Sequence, residues 1–210
     1  METLKKCNDI EKITQKNQKI IQEKLNFIEK RIQSLNEANL NINSKVRVIT
    51  AIREIIINEI YQLKIYEKSI NQSFIAAYLN THQAVVSGSL KKLSDTNQYN
   101  FLYYYIYPLF MDDKLFNAFL NEDSIKMIEY LLVKLKEDDF TFLVKKKNVI
   151  IDNLKSLKQL FENSNNKKIK DIEICRILKY IRDLINGDTI FFIQMIFIKK
   201  YNKLITRYIK

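Results

Sequence analysis

Lys45-Val-Arg-Val-Ile-Thr-Ala-Ile-Arg-Glu-Ile-Ile-Ile-Asn-Glu-Ile-Tyr-Gln-Leu63 is the stretch whose reading decides the fold. Ile49, Ile52, Ile56, Ile60 and Leu63 recur by threes and fours, which puts them on one face of an α-helix. Val48 and Ile55 widen that face, so this helix, expected from Lys45 to about Lys68, is the one expected to be most buried. Arg53 and Glu54 are neighbours in sequence and so do not face each other on a helix.

The same period extends to both sides. Ile10, Ile13, Ile20, Ile21, Leu25, Ile28, Ile32 and Leu35 form one apolar stripe. From Ile21 onward the spacing is that of a coiled coil, but over two heptads only, and it is read as a bundle helix. Asn36 to Ser44 is a polar break, with Ser44 the expected N-cap of the next helix. Ser73–Leu79 and Ala84–Leu93 read as two short helices around Asn80-Thr81-His82, followed by a loop from Asp95 to Asn100. The aromatic run Phe101-Leu-Tyr-Tyr-Tyr-Ile-Tyr107 allows a strand by its length and β-branched content, but in an all-helical context it reads as a buried helix ending near Pro108. Helices are expected at Asp112–Leu120 and at Ser124–Lys136, the second capped by Ser124. Another passes through Val149, Ile150, Leu154, Leu157, Leu160 and Phe161. Ile172, Cys175, Leu178, Ile181, Leu184 and Ile185 define one more, with Gly187 as its C-terminal cap. A last helix ends basic at Lys199, Lys200, Lys203, Arg207 and Lys210, where cations suit the helix dipole.

Two glycines and one proline in 210 residues leave almost no punctuation for a strand-rich fold. The expected class is therefore all-α: a helical bundle, read as two three-helix bundles sharing a core plus a C-terminal helical pair. Residues 1–162 form the bundle domain and 169–210 the pair, with the polar stretch between them as the boundary. The pair is expected to pack on the bundle or lie near a membrane. An apolar fraction of 47% is enough to build a core. The net charge of +11 is compatible with a nucleic acid or an anionic lipid surface as partner. Its lysines are spread along the chain, as on a solvated face. The polar N-terminus is not a secretory signal, and Cys7 and Cys175 are read as reduced thiols. The uncharged run from Thr189 to Ile198 is too short to span a bilayer. It reads as a buried helix, with contact between 190–198 and a membrane surface as the alternative.

No pattern of catalytic chemistry stands out. One histidine and two isolated cysteines do not make a metal site, and no glycine-rich phosphate loop exists. Asp112-Asp113, Glu122-Asp123 and Glu137-Asp138-Asp139 fall at expected helix ends, where acids cap. The expectation is a protein that is no enzyme, with no catalytic residue, cofactor or metal.

Two binding readings follow. Gln72 to Leu90 has the spacing of a helix-turn-helix: Ile75 and Ala76 stand where a small packed pair belongs, and Leu79 closes the first helix. Asn80 takes the turn position and Val86 the packing position of the second helix. His82, Gln83 and Ser87 are then the candidates for reading bases, with Lys91 and Lys92 on phosphate. Over a longer span, the chain resembles the cytoplasmic domain of the TssL/DotU (IcmH) family of type VI secretion proteins. Phe27-Ile-Glu29, Thr50-Ala-Ile-Arg-Glu-Ile-Ile-Ile-Asn58, Ser73-Phe-Ile75, Asn80-Thr81 and Tyr104-Tyr-Ile-Tyr-Pro-Leu-Phe110 carry the resemblance. Phe27, Glu29, Glu54, Asn80 and Phe110 are the motif positions. Arg53 stands where that family has aspartate, and Ala84-Val85-Val86 where it has Gly-Gly-Glu. The resemblance implies a non-catalytic scaffold at the cytoplasmic face of the bacterial inner membrane. It would dock a TssM/IcmF-like membrane protein and baseplate components, with a homodimer as a further expectation. The helix-turn-helix reading implies instead a cytoplasmic DNA-binding regulator.

Overall fold

A chain with so few glycines must stop its helices by other means, and three non-glycine residues do it here. Asn39, Asn80 and Glu122 sit in the left-handed region, at φ 59°, 47° and 52°. Each is the turning residue of the same C-terminal stop, in which two amides fold back onto helix carbonyls. Leu40 N donates to Leu35 O, Thr81 N to Ala76 O and Asp123 N to Ala118 O, at 2.8, 2.9 and 2.8 Å. Asparagine tolerates this conformation. Glu122 is held in it by a long-range bond, its carboxylate accepting from Lys199 N.

The computed structural model describes residues 2–137, 144–163, 172–177, 192 and 194–199. No strand occurs among them, and the chain is an all-α helical bundle. α1 runs over Glu2–Glu37, α2 over Arg47–Gln62, α3 over Gln72–Tyr78, α4 over Gln83–Leu93 and α5 over Thr96–Tyr105. α6 follows at Tyr107–Met111, α7 at Asp113–Leu120, α8 at Ser124–Glu137 and α9 at Val144–Asn163. The fold divides into two compact units, one of 1–44 with 49–103, the other of 45–48 with 104–210. This is a different division from the expected one at 163–168, most of which lies outside the described residues.

The first unit is built on α2. Ile49, Ile52, Ile55, Ile56, Ile57 and Ile60 are all fully buried. Ile28 and Leu35 of α1, Ile75 of α3, Leu79 that caps it, and Val86 and Leu93 of α4 complete the core. Two boundaries differ from expectation. α2 begins at Arg47, so the residue adjoining it is Val46 and not Ser44. It ends at Gln62 and tightens into a 3-10 turn over Leu63–Ile65, short of Lys68. Beyond Leu63 the segment is exposed, Ile65 at 76%, so no packing sustains the helix.

In the second unit, Tyr105, Phe110, Phe116, Phe119, Ile128 and Leu131 are fully buried. Ile150, Leu154 and Leu157 add the inner face of α9, from which Val149 points away. The expected loop at 95–100 is helical, because Asp95 Oδ1 accepts from Gln98 N at 3.0 Å and starts α5 at Thr96. The aromatic helix ends near Pro108, as expected. α5 stops at Tyr105, and Pro108 sits in the first turn of α6, where its missing N–H costs nothing. Asp112 caps α7, accepting from Lys114 N and Leu115 N at 2.8 and 2.9 Å. Asp123, not Ser124, caps α8, accepting from Lys126 N. Residues 172–177 are helical and Cys175 is buried. Gly187 and the basic chain end from Lys200 on lie outside the described residues. Of the uncharged run, Phe192, Gln194, Met195, Ile196, Phe197 and Ile198 are buried. Gln194 Oε1 accepts from Val48 N at 3.3 Å.

A polar strip crosses the buried face of α2. Tyr103 Oη donates to Glu59 Oε1 at 2.9 Å and accepts from Asn58 Nδ2. Lys24 of α1 pairs with the other Glu59 oxygen. Burial pushes the Tyr103 phenol far above its ordinary value, and does the same to Tyr130, whose hydroxyl donates to Tyr105 O. Above a pH of about 10 the unfolded chain loses these protons while the folded chain keeps them, so stability falls as pH rises. Below that pH these two groups add no slope. Urea midpoints at pH 8 and pH 11 are expected to drop less in Tyr103→Phe than in the parent. Equal drops would show that Tyr103 has no part in the alkaline loss.

Candidate nucleic-acid interface

α3 starts from Asn71, whose side chain accepts from Phe74 N at 3.0 Å. This cap fixes the helix so that Ile75 and Ala76 enter the core one after the other, followed by Leu79. The Asn80 stop then reverses the chain. His82 is the extended residue before α4, with its carbonyl accepting from Val85 N at 2.9 Å and no side-chain cap bond of its own. α4 packs on α3 and buries Val86, Ser89 and Leu93. The face turned away from these residues carries Gln83, Ala84, Ser87, Gly88 and Lys91, all exposed.

Three of the sequence-derived base-reading and phosphate candidates therefore stand together near the start of α4, and two lie in its last turn. His82, Gln83 and Ser87 are exposed, the first two beside the turn and Ser87 one turn along α4. Lys91 is exposed, with no side-chain partner among the described residues. Lys92 has an internal role that sequence reading missed. Its Nζ lies 2.9 Å from Glu54 Oε1, and the Glu54 side chain is only 4% exposed. The lysine thus neutralises a carboxylate buried in α2 and ties α4 to the centre of its unit. Thr81, where an apolar residue is usual, is half-buried.

A second residue was also missed. Asn43, in the loop before α2, donates through Nδ2 to Leu79 O and Asn80 O at 3.3 and 3.2 Å. It clamps the turn between α3 and α4 from outside. Arg53 Nη1 donates to Ile42 O and holds that loop in turn. Arg53 and Glu54 thus serve different neighbours, as their adjacency on a helix requires.

The remaining motif positions are dispersed. Phe27 is half-buried under the Arg31 guanidinium, 4.8 Å from its ring centre. Glu29 is exposed on α1, and its charge, after burial, contributes to raising the Tyr78 phenol. Phe110 is buried in the other unit, edge-on to Phe116. Among the described residues no group of His, Cys, Asp and Glu is placed to hold a metal ion. No helix among them is long and apolar enough to cross a membrane.

No family model, no curated protein and no solved structure matches the chain. What the site can do is therefore read from its own geometry.

Proposed function

We propose that residues 72–93 are a DNA-binding helix-turn-helix and that the chain acts by binding, without turnover. The observation that carries this is the turn. Asn80 is left-handed at φ 47° between a buried Ile75-Ala76-Leu79 set and a buried Val86, with His82, Gln83, Ser87 and Lys91 exposed beyond it. That arrangement presents the first turns of α4 to a major groove, which is wide enough to admit a helix. Lys91, about two turns along, is placed for a phosphate, and the +11 charge favours any polyanion.

Fluorescence anisotropy with a labelled duplex tests it. Binding is expected to weaken steeply with salt as counterions are released. Lys91→Ala is expected to lower the slope of log K against log salt by about one. Salt-independent binding, or no binding at 50 mM salt, would sink the reading. Lys92 is unsuited to this test because its loss also strands Glu54.

The secretion scaffold is a second proposal and rests on the resemblance. In its favour, Glu54, the glutamate shared with that family, is buried and ion-paired, as a residue kept for the fold would be. A pull-down split by nuclease treatment separates the two readings. A membrane-protein partner recovered equally in both halves supports the scaffold, and recovery lost with nuclease supports the DNA reading.

A further inference from the structure

Gly88 is the odd residue of α4. A glycine inside a helix weakens it relative to alanine. Nothing in the fold asks for one here: Gly88 has no positive φ, and a Cβ built on it meets no atom within 4 Å. It is exposed, on the same face as Ala84, Ser87 and Lys91. Neither the backbone nor the packing of this chain requires the missing side chain, and its absence leaves the surface of α4 open at this point.

The residues around it define what a partner closing on this surface offers. Residues 72–93 contain no arginine, the commonest reader of guanine. Gln83, at the start of α4, carries an amide whose oxygen and NH2 match the N6 donor and N7 acceptor of adenine. The Ala84 methyl beside it suits a thymine methyl, while a serine hydroxyl such as that of Ser87 discriminates poorly. Lys91 is eight residues on, about 12 Å along the axis, beyond the reach of the same base pair.

We propose that Gln83 reads an adenine in an A·T pair and that Gly88 lacks a side chain so that the duplex can close on α4. This rests on the helix-turn-helix reading. The test incubates the full chain with duplexes of randomised centre and sequences the bound fraction. One position is expected to fix adenine, and Gln83→Ala is expected to flatten that preference by about tenfold or more. Gly88→Ala is expected to raise Tm by about 2 °C and to weaken binding of the selected duplex, a pairing that a purely structural glycine would not give. Enrichment for guanine, a preference that survives Gln83→Ala, or undiminished binding by Gly88→Ala would each overturn this inference and leave DNA binding standing. Retention of no duplex at low salt would overturn both.

Discussion

Ile56→Asp is expected to abolish cooperative folding of the unit built on α2. Ile56 is fully buried, with Ile49, Ile52, Ile55 and Ile60 of the same helix equally buried. A carboxylate placed there has to be ionised without a partner or take up a proton and remain a buried polar group, and either costs several kcal/mol. Domains of this kind hold about 5–15 kcal/mol in total, so the change removes a large part of the margin. Ile52→Asp is expected to behave alike. Ile56→Ala, which only creates a cavity, is expected to cost about 2–5 kcal/mol and leave a folded protein. Ile65→Asp, at a site 76% exposed, is expected to stay within about 0.5 kcal/mol of the parent. Circular dichroism with urea titration checks the series. A cooperative transition in Ile56→Asp within 1 kcal/mol of the parent would mean that α2 is not the centre of its unit.

The central helix was legible because aliphatic periodicity is a local signal, and every isoleucine assigned to its inner face is buried. Helix ends were less so. Asn80 could be read as a turn, since asparagine tolerates positive φ, whereas Glu122 could not, because what holds it is a bond to Lys199, 77 residues away. The start of α5 was lost by reading Asp95 as loop material, although aspartate is also a helix cap. The outline of the candidate site was visible for the same reason as α2: its packed and exposed positions follow fixed spacings within 22 residues. The pairings of Asn43 and Glu54 were not legible because their partners lie 36 to 38 residues away, and no local pattern encodes such a pairing.

That long-range pair supplies the second large effect. Lys92→Ala is expected to destabilise the first unit by about 3 kcal/mol, while Lys91→Ala next to it changes stability by less than about 0.5 kcal/mol. The asymmetry comes from burial. The Glu54 side chain is 4% exposed and that of Lys92 60%. Removing the lysine strands a buried carboxylate, whereas removing the glutamate leaves a lysine that water can solvate. Breaking a buried pair costs about 3–5 kcal/mol, and the exposed lysine places this one at the low end. Glu54→Leu combined with Lys92→Leu is expected to recover most of the loss, since no charge is then left in the core. A double-mutant cycle by urea titration reads the coupling directly. If Lys92→Ala costs no more than Lys91→Ala, the pair is an ordinary surface contact. On the proposed DNA-binding reading, the same variants distinguish two ways of losing affinity. Lys91→Ala is expected to lower the salt slope by about one with the unfolding midpoint unchanged. Lys92→Ala lowers the midpoint because α4 loses its tie to α2, and any loss of affinity then follows from a displaced helix.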